Sequence, residues 1–164
     1  MQPPRGAAYQ SDLQNNKIMS VVKSKRNQSK AEFESIFFQL VDGIDNLVEH
    51  DFYAEGMLAV KNKTFLEIRC RTLEDMTDKL IYHVKIANSI YPQCIAEWEE
   101  RRVEQGKAIG TCYAILTNMQ RIMIRLRVPD NKYTLDVKNV MRMINSLKAW
   151  RKSDNKLRSK LENN

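Results

Sequence analysis

The sequence predicts an all-α fold, an antiparallel four-helix bundle. Three observations carry that expectation. Glycine and proline together number nine of 164 residues, about half the usual share of these two turn formers, which disfavours the many-turned all-β folds. Apolar residues recur at steps of three and four through most of the chain, the period of a helix with one buried face. The breaks between periodic segments are few and short, as in helices that turn straight back on their neighbours.

The elements follow in order. Residues 1–28 read as a disordered basic arm. Pro3, Pro4 and Gly6 stand in its polar opening, and residues 17–30 carry Lys17, Lys23, Lys25, Arg26 and Lys30 with no acid. Such a run is a solvated arm or a nucleic-acid arm. The bundle is placed at 29–153. Ser29 and Glu32 form a capping-box pattern, and Phe33, Phe37, Leu40, Ile44 and Leu47 then mark a first helix of about 20 residues. Between Ala31 and Val60 there are seven acids and no Lys or Arg, so this helix has a negative outer face. A loop follows around Asp51–Met57, with Gly56 as its pivot.

Phe65, Ile68, Leu73, Met76, Leu80, Val84, Ala87 and Tyr91 mark the second helix, with Thr64 and Glu67 as a further capping pair. It ends near Ile90, because Pro92 lacks the N–H that a helix interior needs. The third runs from about Pro92 to Arg127, held in phase by Ile95, Trp98, Ile109, Cys112, Leu116, Met119, Met123 and Leu126. Gly106 and Gly110 lie within it, each costing about 1 kcal/mol relative to Ala. They imply close approach of a neighbouring helix or a local kink. After Val128-Pro129-Asp130 the fourth helix starts near Thr134, with Val137, Val140, Ile144 and Leu147 on one face. Residues 154–164 read as a fraying basic tail.

Signatures of catalysis are nearly absent, and the protein is expected not to be an enzyme and to need no cofactor. His50 and His83 have no Glu three residues before them, so the Glu-x-x-His pair of di-iron bundles is missing. Cys70, Cys94 and Cys112 lack zinc-ligand spacing, and no metal site is expected. The acids Glu97, Glu99, Glu100 and Glu104 read as a solvated face pairing with Arg101 and Arg102. No apolar run is long enough for a membrane span, and the odd cysteine count points to a reducing, cytoplasmic compartment.

Charge is the informative feature. From Arg101 to Asn164 there are 15 Lys or Arg and 5 acids, a balance of +10 against +7 for the whole chain. Lys138, Arg142, Asn145, Ala149, Lys152 and Lys156 step by 4, 3, 4, 3, 4 and so share one stripe of the fourth helix. Arg121 and Arg125 pair on the third, with Arg127 and Lys132 at the turn. A segregated basic face favours phosphate backbones through counterion release. An acidic protein partner, which would make the chain a helical adaptor, and a merely solubilising surface are the other readings. Acid on one helix and base on two others also favours self-association.

The second half carries a family resemblance. Ala108-Ile109-Gly110 through Met119-Gln120-Arg121, then Ile124-Arg125-Leu126, a short turn, and the ending Ile144-Asn145-Ser146-Leu147-Lys148-Ala149-Trp150-Arg151-Lys152-Ser153 resemble the accessory variability determinant family of diversity-generating retroelements. The likeness covers about residues 65–153. It departs at Lys148-Ala149, where the family usually has Gly-Gly. The resemblance implies a small basic four-helix bundle assembled into a pentameric barrel. It further implies a bacterial or prophage-encoded partner of a reverse transcriptase, binding template RNA or cDNA in mutagenic copying. It also implies that Arg121 and Arg125 lie on the outer side of the third helix, and that Trp150 and Arg151, with Lys152, contact a subunit or the polymerase.

Overall fold

With few glycines and prolines to interrupt it, the backbone satisfies its own N–H and C=O groups along helices. The computed structural model describes residues 32–129 and 131–163, and no strand occurs among them. The chain divides into two compact units, Met1–Ser35 and Ile36–Asn164. Of the first, residues 32–35 are described, and they are helical. The basic arm expected at 1–28 and the Ser29 cap lie outside the described residues.

In the second unit, α1 covers 36–46 and buries Ile36, Leu40 and Ile44. It runs into a π-helical turn, Leu47–Asp51, where the Phe52 N–H reaches back to the Leu47 carbonyl at 3.1 Å. The wider turn shifts the phase by about one residue, so that Leu47, Val48 and Phe52 all face inward. Phe52 meets Tyr133 edge to face, ring centroids 5.3 Å apart. Gly56 then takes φ +63°, a left-handed conformation that favours glycine, and it opens a short helix that periodicity did not reveal, α2 (Gly56–Lys61).

One residue later α3 (Lys63–Ser89) begins. Its buried stripe is Leu66, Cys70, Leu73, Thr77, Leu80, Val84 and Ala87, in alternating steps of three and four. Ile68 and Tyr91, read as core, are 58% and 75% exposed. The Thr64–Glu67 cap is not used: Glu67 lies 3.8 Å from Lys63 Nζ instead. α4 (Ile95–Leu126) buries Ala108, Ile109, Cys112, Ile115, Met119 and Ile122 along its middle. It ends on Arg127, φ 53°, with the Val128 N–H on the Met123 carbonyl at 3.0 Å. That is a left-handed C-cap on a residue other than glycine.

α5 (Thr134–Ser153) buries Val140, Met143, Ile144 and Leu147. Beyond it, in the segment read as a tail, α6 (Asn155–Leu161) follows, joined to α4 through Asp154. α3 packs on α4, α4 on α5, and α6 on both α4 and α5. The side-chain bonds Arg69–Asn118 and His83–Glu104 set α3 antiparallel to α4. Lys148–Tyr113 and Trp98–Asp154 do the same for α5 and α4. α1 lies close to α5, where a methyl group on Gly43 would come within 3.1 Å of Asp136 Oδ1.

Gly106 and Gly110 do not behave as expected. A Cβ built on either meets nothing within 4 Å among the described residues, and α4 continues unbroken through both. Close approach of a neighbouring helix among the described residues therefore does not explain them. No helix among the described residues is long and apolar enough to cross a membrane.

Candidate nucleic-acid interface

The basic stripe of α5 is built by period alone. Val140, Ile144 and Leu147 turn one face into the core, and Lys138, Arg142, Asn145, Ala149 and Lys152, with Lys156 on α6, are all exposed. Lys138, Lys152 and Lys156 have neither an ion pair nor a hydrogen-bond partner among the described residues. Arg142 donates from Nη1 to Gln39 Oε1 at 3.2 Å, a neutral partner that leaves its charge uncompensated.

The end of α4 and the turn into α5 add four cations of unequal standing. Arg121 and Arg127 are exposed and without partners among the described residues. Arg125 donates from Nε to Asn62 Oδ1 at 2.7 Å and lies 5.6 Å from the centre of the Phe65 ring. Lys132 is engaged: it pairs with the Glu55 carboxylate, which also accepts the Tyr133 hydroxyl. Burial pushes the Glu55 carboxyl up, but the bonds from Lys132 and Tyr133 outweigh it and hold the group below its usual range. Burial, with the Glu55 bond, pushes the Tyr133 phenol far up. Lys132 therefore adds little field to the surface.

The arginines near the start of α4 also differ from expectation. Arg101 and Arg102 do not pair with a solvated acidic face. Arg101 Nε lies 2.9 Å from Asp154 Oδ2, both side chains being about nine-tenths buried at 14% and 11% exposure. Its guanidinium sits 5.1 Å from the centre of the Trp150 ring. Gln105 Nε2 donates to Asp154 Oδ2 at 2.7 Å, and the Trp98 indole N–H to the Asp154 carbonyl at 3.0 Å. Arg102 and Arg158 flank Trp98 at 5.0 and 5.2 Å. Trp150 and Arg151 are half-buried in this cluster, the Arg151 carbonyl accepting from Arg102 at 3.5 Å.

Glu104 is likewise buried rather than solvated. It accepts from Lys107 and lies 2.6 Å from His83 Nδ1. Burial raises its pKa, but the bonds from Lys107 and His83 outweigh that and hold it below the usual range, so Nδ1 is the donor. Cys70 and Cys112 are buried and Cys94 is exposed, and burial pushes the Cys112 thiol up to about 12. Among the described residues no three of His, Cys, Asp and Glu converge as a metal-ligand set.

The spacing argument missed Lys61 and Lys63. Both are exposed and flank Asn62 at the α2–α3 junction. With Thr64, Phe65 and Arg125 they line an open notch of about 290 Å³. The signal was present in Lys61-Asn62-Lys63, but its meaning depends on α4 running antiparallel and delivering Arg125 to the same place. No family model, curated protein or solved structure matches this chain.

Proposed function

We propose that this protein is a non-catalytic, nucleic-acid-binding accessory subunit of a diversity-generating retroelement reverse transcriptase. In this reading it is a cytoplasmic four-helix bundle that assembles as a pentamer and holds template RNA or cDNA against the polymerase. The observation that carries it is the set of exposed cations without carboxylate partners among the described residues: Arg121, Arg127, Lys138, Lys152 and Lys156. Such a face attracts a polyanion by releasing its condensed counterions, and it contacts backbone rather than bases.

Self-association has its own support. Gly106 and Gly110 face no neighbour among the described residues, and the exposed Val103 and Tyr113 lie on the same helix. Carboxylates crowd the face of α1: burial, then Glu49, Asp42 and Asp78, push the Asp45 carboxyl up. A basic face from a second copy relieves that repulsion, and a ring of copies multiplies the positive field.

The test is RNA binding as a function of salt. If about five phosphates are neutralised, log K falls with log salt at a slope of about −3.5 on single strands. Reversing the charge of Lys138, Arg142, Lys152 and Lys156 together abolishes that binding. Unchanged RNA affinity in the reversed variant removes the stripe, and tight binding of an acidic protein with no RNA affinity makes the chain an adaptor. Light scattering at high salt reads the assembly, a pentamer of 19.2 kDa subunits weighing about 96 kDa.

A further inference from the structure

We infer that the notch at the α2–α3 junction is a phosphate site, occupied by a backbone phosphate of the bound nucleic acid. The inference rests on the nucleic-acid reading and places a contact on a different face-forming element from the α5 stripe. Lys61, Lys63 and Arg125 converge on a volume of about 290 Å³ that no carboxylate among the described residues lines. The notch opens to solvent, so a backbone phosphate can reach it with part of its hydration kept.

Three cations around one small opening repel one another, and nothing among the described residues offsets this fully. The Lys63–Glu67 contact is long, 3.8 Å, with side chains 73% and 50% exposed, so solvent screens it. Lys61 has no partner among the described residues. No acid sits in the first turn of α3.

Arg125 is oriented rather than neutralised. Its Nε is taken by the neutral Asn62 Oδ1, and its guanidinium lies over Phe65, which Arg69 also approaches at 5.6 Å. Neither Nη of Arg125 is bonded among the described residues. A guanidinium held by its Nε, with both Nη groups available, is the fork that grips two oxygens of one phosphate. Asn62 therefore positions Arg125, while Lys61 and Lys63 supply flanking point charges.

The experiment compares three double variants of the full chain by fluorescence anisotropy, using a labelled single-stranded RNA of about 20 nucleotides across a salt series. Lys61→Gln with Lys63→Gln empties the notch of two charges. Lys138→Gln with Lys152→Gln removes two from the stripe, and Lys79→Gln with Lys85→Gln removes two exposed lysines of α3 away from both. All six positions are exposed, and circular dichroism checks the fold. The notch pair is expected to weaken binding about tenfold and to make the salt slope shallower by about 1.4, the loss of two single-strand phosphate contacts. The Lys79/Lys85 pair is expected to change affinity less than twofold. The inference is overturned if the notch pair binds as the unaltered chain does while the stripe pair weakens, an outcome that leaves the general reading standing. It is equally overturned if the Lys79/Lys85 pair weakens binding as much as the notch pair, because net charge then explains both. Absence of RNA and DNA binding by the unaltered chain overturns the notch and the general reading together.

Discussion

The two ends of α4 carry the same residue type and put it to opposite use. At the start, Arg101 and Arg102 are drawn into contacts with Asp154, Asn155, Trp98 and Trp150. Their charge is neutralised by a buried carboxylate or lies against aromatic rings, and the outcome is mechanical: α6 is fastened to α4. At the far end Arg121 and Arg127 meet no partner among the described residues, and Arg125 meets only a neutral oxygen and a ring. The +10 balance of the second half therefore overstates the field available to a ligand, which comes from one end of α4 and from the α5 stripe. Net charge says how many cations exist; burial and partners decide which of them a polyanion can reach.

The largest break of this comparison is Asp154→Ala. It leaves the Arg101 guanidinium and the Gln105 amide facing each other at low exposure, and removing one partner of a buried pair costs about 3–5 kcal/mol. Urea unfolding is expected to show a loss of that size. Limited proteolysis is expected to cut near Ser153, because α6 loses its anchor. A loss under about 1 kcal/mol would mean that the cluster behaves as a surface ion pair and that the two ends of α4 are alike.

Next comes Glu104→Gln, which probes a buried carboxylate on α4 itself. Loss of charged hydrogen bonds to His83 and Lys107 is expected to cost about 1.5–3 kcal/mol at neutral pH. The sign of the pH dependence follows from the lowered folded pKa. The stabilisation is fully present above the unfolded value of 4.5 and is lost as pH falls through the folded value. Stability curves of the unaltered chain and the Gln variant are therefore expected to converge in acid. A constant gap between them down to about pH 3 would show that the carboxylate's charge is not what matters.

How much of this was legible beforehand differs by feature. The long helices were, because a stripe such as Val140, Ile144 and Leu147 is a local property of spacing. The phase of α3 was misread because Ile68 is apolar yet sits opposite the Leu66–Cys70–Leu73 face, and composition cannot mark the side of a helix. The π turn at Leu47–Asp51 inserts about one residue into the count, which periodicity cannot register. α6 had no local signal either, since its anchor joins Trp98 to Asp154 across 56 positions. The basic stripe was readable, but the engagement of Lys132 with Glu55 and of Arg142 with Gln39 spans 77 and 103 positions. Only the fold brings those partners together.

The smallest expected effect sharpens the comparison most, because stability and binding move in opposite directions. Arg127 occupies the left-handed C-cap of α4 at φ 53°, a conformation that costs a residue with a Cβ about 1 kcal/mol and that glycine adopts freely. Its side chain makes no bond among the described residues to offset that strain. Arg127→Gly is therefore expected to stabilise the protein by about 0.5–1 kcal/mol, with the cap bond from Val128 to Met123 retained. If the residue is there for its charge, the same change removes one phosphate contact, weakens RNA binding a few-fold and flattens the salt slope by about 0.7. A stabilised variant with unaltered RNA affinity would leave the strain without a functional reason and take Arg127 out of the interface. A variant both more stable and weaker in binding identifies a position where the chain keeps a strained backbone for the sake of an exposed cation, as strain at functional sites is kept elsewhere. Its effect on melting should also be the opposite of that at Arg101, where replacing the cation strands a buried carboxylate.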